Sequence, residues 1–183
     1  MVNGSQESLL SCWLTNEWPS SVCPPTPNTK AYQSAAFMLE LESAINLQTR
    51  ETLLRVLQNF VRQMVTQKSF LTRRQKARAW YKMGFGYEQA QSDSAAFQCY
   101  ELCSQELPIR DNTAWLALHA RWAPIADELG FEMQATRSYN AIITLLQRRA
   151  QATHLVHLAT EDNPLFLQAL KHRRMNNYPY NQA

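Results

Sequence analysis

Apolar residues recur along most of this chain in steps of three and four, and that periodicity constrains its fold more than any other feature. The run ETLLRVLQNFVRQMV displays it best: Leu53, Leu54, Leu57, Phe60, Val61 and Met64 share a face, while Arg55, Gln58 and Arg62 lie elsewhere. No strand-like alternation is long enough to build a sheet, and only 4 of the 183 residues are glycine. An all-α fold follows. Helices are expected over residues 30–45, from Thr49 as N-cap through Met64, from Thr72 to Gln89, and from Ser94 to Leu107–Pro108. Further helices are expected from Asp111 or Asn112 to Gly130, over residues 132–152, and from Asn163 or Pro164 to Met175. Pro124 removes a backbone donor and should kink its helix or split it. Connections this short make sequential helices antiparallel neighbours.

Residues 1–29 behave differently. Pro19, Pro24, Pro25 and Pro27 exclude a long helix there, yet Leu9, Leu10, Cys12, Trp13, Leu14 and Trp18 form an apolar island too hydrophobic for a plain linker. Leu9, Leu10, Trp13, Leu14 and Trp18 are therefore a candidate docking segment, either a short helix packed on the main body or a contact for another chain. The expected organisation is this segment, one helical domain over residues 30–175, and a loose tail over 176–183.

One hairpin carries more than amphipathicity. Trp80, Met83, Gly84 and Tyr87 give a large–large–small–large pattern on a first helix, and Ala96, Tyr100 and Cys103 a small–aromatic–small pattern on a second, with Pro108 at the exit. Small residues let two helix backbones approach, and the rings fill the volume beside the crossing. Residues 77–110 so patterned resemble a tetratricopeptide repeat, a helix–turn–helix unit of about 34 residues. Trp115, Leu118 and Trp122 echo the first-helix spacing, with His119 in place of the small residue. Ala135, Tyr139 and Ile142 echo the second helix at a shift of four, which implies one extra turn near Pro124. The resemblance implies antiparallel hairpins stacked as a short right-handed superhelix with a concave face for a peptide or partner helix. It places Arg78, Tyr81, Phe85 and Glu88 along the groove, with Tyr81 and Phe85 either exposed there or covered by the preceding helices. The carboxylate-clamp variety of the family is not matched, because the second unit offers only apolar or small residues at the comparable positions.

Charge excludes little. The net charge is +3, and basic residues gather at Lys68, Arg73, Arg74, Lys76, Arg78 and Lys82. Arg73, Arg74, Lys76, Arg78 and Lys82 form a basic patch able to steer an acidic partner. With Arg148–Arg149 and Lys171–Arg174 they leave a nucleic-acid-binding protein as a minor alternative, for which one expects a continuous basic stripe. Cys99 with Cys103, and His154 with His157, sit one helical turn apart, but neither pair finds a full ligand set, so no metal or other cofactor is expected. No phosphate loop, dinucleotide fingerprint, HExxH pair or nucleophile elbow occurs, and no enzyme is expected. The chain also lacks a basic leader and any apolar stretch of about 20 residues, so no membrane span is expected. Its cysteines do not read as a disulfide scaffold, which makes the cytoplasm the expected location.

The expected function is a non-catalytic adaptor or chaperone-like module that binds a protein partner, in a homo- or hetero-oligomer. Its size and order look similar to small repeat-containing accessory proteins of bacterial secretion systems. The principal alternative is a structural subunit of a larger assembly.

Overall fold

The computed structural model describes residues 29–47, 49–66 and 70–176. The candidate docking segment at Leu9–Trp18 and the tail beyond Asn176 lie outside them. Among the described residues there are seven α-helices and no strand, as the periodicity requires. They are α1 (Lys30–Leu47), α2 (Arg50–Thr66), α3 (Arg73–Gln89), α4 (Asp93–Glu106), α5 (Asn112–Glu128), α6 (Glu132–Thr153) and α7 (Pro164–Asn176), with a 3-10 turn at Val156–Ala159 before the last.

Local chemistry explains the boundaries. Thr72 caps α3 with a reciprocal pair: the Gln75 N–H donates to Thr72 Oγ1 at 3.3 Å, and the Thr72 N–H donates to Gln75 Oε1 at 2.9 Å. Asn163 caps α7 by accepting from the Leu165 and Phe166 N–H groups at 3.1 and 3.3 Å. The N-cap of α4 is Ser92, two residues before the expected Ser94, and it makes no side-chain cap bond. Pro124 does not split its helix, since α5 is unbroken from Asn112 to Glu128.

The described residues up to Asp111 form one compact unit, and those from Asn112 onward form a second. In the first, α3 is central. It runs antiparallel to α4, since Arg73 at its start donates to the Gln105 carbonyl at the end of α4 at 2.9 Å. Against α1 it runs parallel: Gln75 donates to Ser34 Oγ at 3.2 Å, Lys82 pairs with Glu42, and Gly86 lies against Ile45. From each of these pairs to the next, both helices advance in the same direction, which only a parallel alignment permits. The α2 helix returns antiparallel to α3, its Arg50 Nε–H donating to the Ala90 carbonyl at 2.9 Å and Leu57 meeting Gly86. Phe37, Leu41, Leu53, Leu57, Phe60 and Met64 are buried between α1 and α2, with Phe37 and Phe60 edge to face at 5.2 Å.

In the second unit, α5, α6 and α7 enclose Leu116, Leu118, Ile142, Leu146 and Phe166. Here the register expected from the sequence needs correction. The α5 helix begins 39 residues after α3 and, like it, spans 17 residues, so there is no extra turn near Pro124. At that constant spacing Ala96 matches Ala135, Tyr100 matches Tyr139 and Cys103 matches Ile142, all buried. Gly84 then matches Ala123, also buried, so Ala123 rather than His119 holds the small position. The turns match as well. Gln91 and Gly130, each with positive φ (54° and 75°), close their helices with the same paired bonds. Ser92 N–H donates to the Tyr87 carbonyl and Gln91 N–H to Glu88, while Phe131 donates to Ala126 and Gly130 to Asp127.

Candidate functional site

The α3 helix is apolar or small over most of its circumference, and its neighbours bury it accordingly: Ala77, Ala79, Trp80, Met83, Gly84, Gly86 and Tyr87 are all covered. Two bare positions admit neighbours from different directions. A Cβ added to Gly84 would stand 2.5 Å from Tyr100 Cε1 on α4, while one on Gly86 would meet the Leu57 methyls and Ile45 Cγ1 at 3.1–3.2 Å. Gly84 was legible from the repeat-like pattern. Gly86 was not, because the residues it admits lie far away in sequence.

The groove expected at Arg78, Tyr81, Phe85 and Glu88 is only partly open. Arg78, Phe85 and Glu88 are half-buried, and on the second half of α3 only Gln89 is fully exposed. Tyr81 is 2% exposed, so of the two readings, open to the groove or covered, the covered one holds for it. Its ring lies 5.7 Å from that of Tyr100, whose hydroxyl donates to Glu88. Tyr81 is therefore part of the hairpin's packing, and Glu88 is engaged by Tyr100.

The basic residues are also engaged. Arg73 lies 3.8 Å from Glu106, Arg74 lies 3.6 Å from Asp111, and Arg78 lies 3.7 Å from the Glu42 carboxylate that Lys82 also meets. Lys76 is half-buried. Burial pulls the Lys82 ammonium below the ordinary lysine value, with Glu42 acting in the opposite direction. The patch is thus a set of ties from α3 to α1, to α4 and to the loop after α4, in place of a continuous cationic surface. Glu42 was missed in the sequence because nothing local pairs it with residues on α3.

Cys99 and Cys103 are buried thiols. Burial pushes Cys99 up to about 12 and raises Cys103 further, so neither is a thiolate near neutral pH. Among the described residues no group of three His, Cys, Asp or Glu side chains is arranged to hold a metal. His154 and His157 are both exposed, and the His154 backbone is left-handed with φ 55° at the end of α6. His119 has a more particular setting. Its ring stacks between Trp115 and Trp122, with centroids 5.5 and 6.1 Å away, and its Nδ1 lies 3.1 Å from the fully buried Ser138 hydroxyl. Burial lowers its pKa to about 4. The 115–119–122 spacing carried that signal in the sequence, since steps of four and three put the three rings on one face.

Among the described residues no helix is long and apolar enough to cross a membrane. No known protein family matches this chain, and no characterised protein or solved structure is similar enough to it to count as a match.

Proposed function

We propose that the chain is a non-catalytic protein-interaction module, adaptor-like or chaperone-like, whose tetratricopeptide-like hairpins hold a short segment or helix of a partner protein. The observation that carries this reading is the pair of bare faces on α3. Gly84 receives Tyr100 of its own hairpin, and Gly86 receives Leu57 and Ile45 of the preceding one. The parallel alignment of α1 with α3 is what stacked hairpins of this kind require. The reactive side chains Cys99, Cys103 and His119 are committed to packing, the two cysteines buried as thiols and His119 between two indoles.

On this reading the partner meets the Arg78–Phe85–Glu88 stripe. Phe85 supplies apolar area, the two charged residues set register, and Tyr81 supports them from below. Nucleic-acid binding finds less support, because Arg73, Arg74, Arg78 and Lys82 each sit beside a carboxylate.

The test is purification of the chain from its native cells with its bound material. A stoichiometric protein partner is expected, and Phe85→Ala should weaken its binding by about tenfold while the helical circular dichroism stays unchanged. Unchanged affinity in a folded Phe85→Ala variant removes the site, and nuclease-sensitive bound material removes the reading.

A further inference from the structure

The seating of α1 is not dictated by its own apolar pattern. Ala35, Ala36, Phe37, Met38 and Leu39 are apolar residues in a row that sweep more than a full turn, and the charges of the helix are confined to Lys30, Glu40 and Glu42. Phe37, Leu41, Ala44 and Ile45 are buried, yet Tyr32 is 43% and Leu39 58% exposed. The hydrophobic effect is non-directional, so a helix apolar on so many sides can turn or slide at little cost in buried area. The α2 helix has no such freedom. It buries Leu53, Leu57, Phe60 and Met64 on one side and exposes Glu51, Arg55, Gln58 and Arg62 elsewhere.

Polar contacts supply the direction that the apolar ones lack. Ser34, Lys82 and Ser138 are the buried polar or charged side chains among the described residues, and the first two lie on the seam between α1 and α3. Gln75 donates to Ser34 Oγ at 3.2 Å. About two turns further along, Lys82 donates to the Glu42 carboxylate, which also lies 3.7 Å from Arg78. From Ser34 to Glu42 is about 12 Å of helix and from Gln75 to Lys82 about 10 Å, so one register satisfies both contacts. Sliding α1 by one turn would set Met38, Leu39, Ile45 or Asn46 against Lys82 and leave its ammonium buried without a counter-charge. We propose that Ser34–Gln75 and Glu42–Lys82 are a register lock: they select the turn and the side on which α1 seats against α3, while apolar burial supplies the adhesion. A buried ion pair adds little adhesion, since desolvation offsets most of its attraction, but it discriminates strongly against any seating that separates its members. Nothing in this lock depends on what the chain binds.

The experiment compares two variants of the full chain by urea denaturation and two-dimensional NMR. Glu42→Leu alone leaves Lys82 without its carboxylate and should lower the denaturation midpoint. The combination Ser34→Ala, Glu42→Leu and Lys82→Met makes the seam apolar at similar volume, and its midpoint should return to the parent value or exceed it. In that folded triple variant the amides of Tyr32–Asn46 should each broaden or split into two or more peaks, while those from Asn112 onward stay single. The cross-relaxation peak between Ile45 and the Gly86 Hα, which the close approach of the two residues predicts for the parent, should weaken with them. One sharp set of α1 peaks, with the Ile45–Gly86 peak at parent strength, overturns the proposal, because apolar packing alone then fixes the register. A triple variant no more stable than Glu42→Leu overturns it too, by assigning the pairs to adhesion.

Discussion

Gly84 on α3 lies directly beneath the ring of Tyr100 on α4, so close that an added Cβ would stand 2.5, 2.8 and 2.9 Å from three of its ring carbons. Tyr100 has no room to yield, being fully buried with its hydroxyl bound to Glu88. Helix propensity alone favours Gly84→Ala by about 1 kcal/mol. The overpacking it causes costs about 1–3 kcal/mol. A net loss of up to about 2 kcal/mol is expected by urea denaturation, and the penalty should shrink in a Tyr100→Leu background.

Gly86 provides the contrast. Its nearest neighbours are the two Leu57 methyls and Ile45 Cγ1 at 3.1–3.2 Å, and the methyls end a flexible side chain. Here the gain in propensity and the cost of displacement nearly cancel. Gly86→Ala should lie within about 1 kcal/mol of the parent protein in the same assay.

The α3–α4 turn holds a non-glycine residue in a left-handed conformation: Gln91, with φ 54°, sits where the matching turn has Gly130. Gln91→Gly should raise the stability of the first unit by about 0.5–1 kcal/mol, because the strain of a Cβ there exceeds the entropy that glycine loses on folding. Gly130→Gln should cost a similar amount in the second unit. Denaturation midpoints read both.

Acid should weaken the second unit through His119. Its pKa falls from 6.5 unfolded to about 4 folded because burial disfavours the imidazolium. In that window the unfolded chain binds more protons, so the stabilisation is complete above pH 6.5 and is lost as the pH falls toward 4. The loss reaches about 3 kcal/mol when His119 is protonated in both states. Replacing His119 with Phe, which retains an aromatic ring between Trp115 and Trp122, should flatten that part of the stability–pH curve.

The helices themselves were legible because their signals are local. Thr72 and Asn163 cap α3 and α7 where expected, and the α2 stripe buries Leu53, Leu57, Phe60 and Met64. Packing between helices was harder to read. Tyr81 lies on a different stripe from Trp80 and Tyr87, which left an open and a covered reading side by side, and a helix with neighbours on several sides covers more than one stripe. The second unit was read out of register because Trp115 and Trp122 mimic the spacing of Trp80 and Tyr87, whereas the like turns at Gln91 and Gly130 lie 39 residues apart. Glu42 was missed for the same reason: its partners Arg78 and Lys82 lie far from it in sequence.

The interaction reading depends most on the close crossing of α3 and α4, and NMR of the full chain addresses it directly. The Hα protons of Gly84 should give cross-relaxation peaks to the ring protons of Tyr100 and be shifted upfield by the ring's shielding face. Gly84 Hα protons at random-coil positions, with no such peaks in a folded sample, would contradict the account.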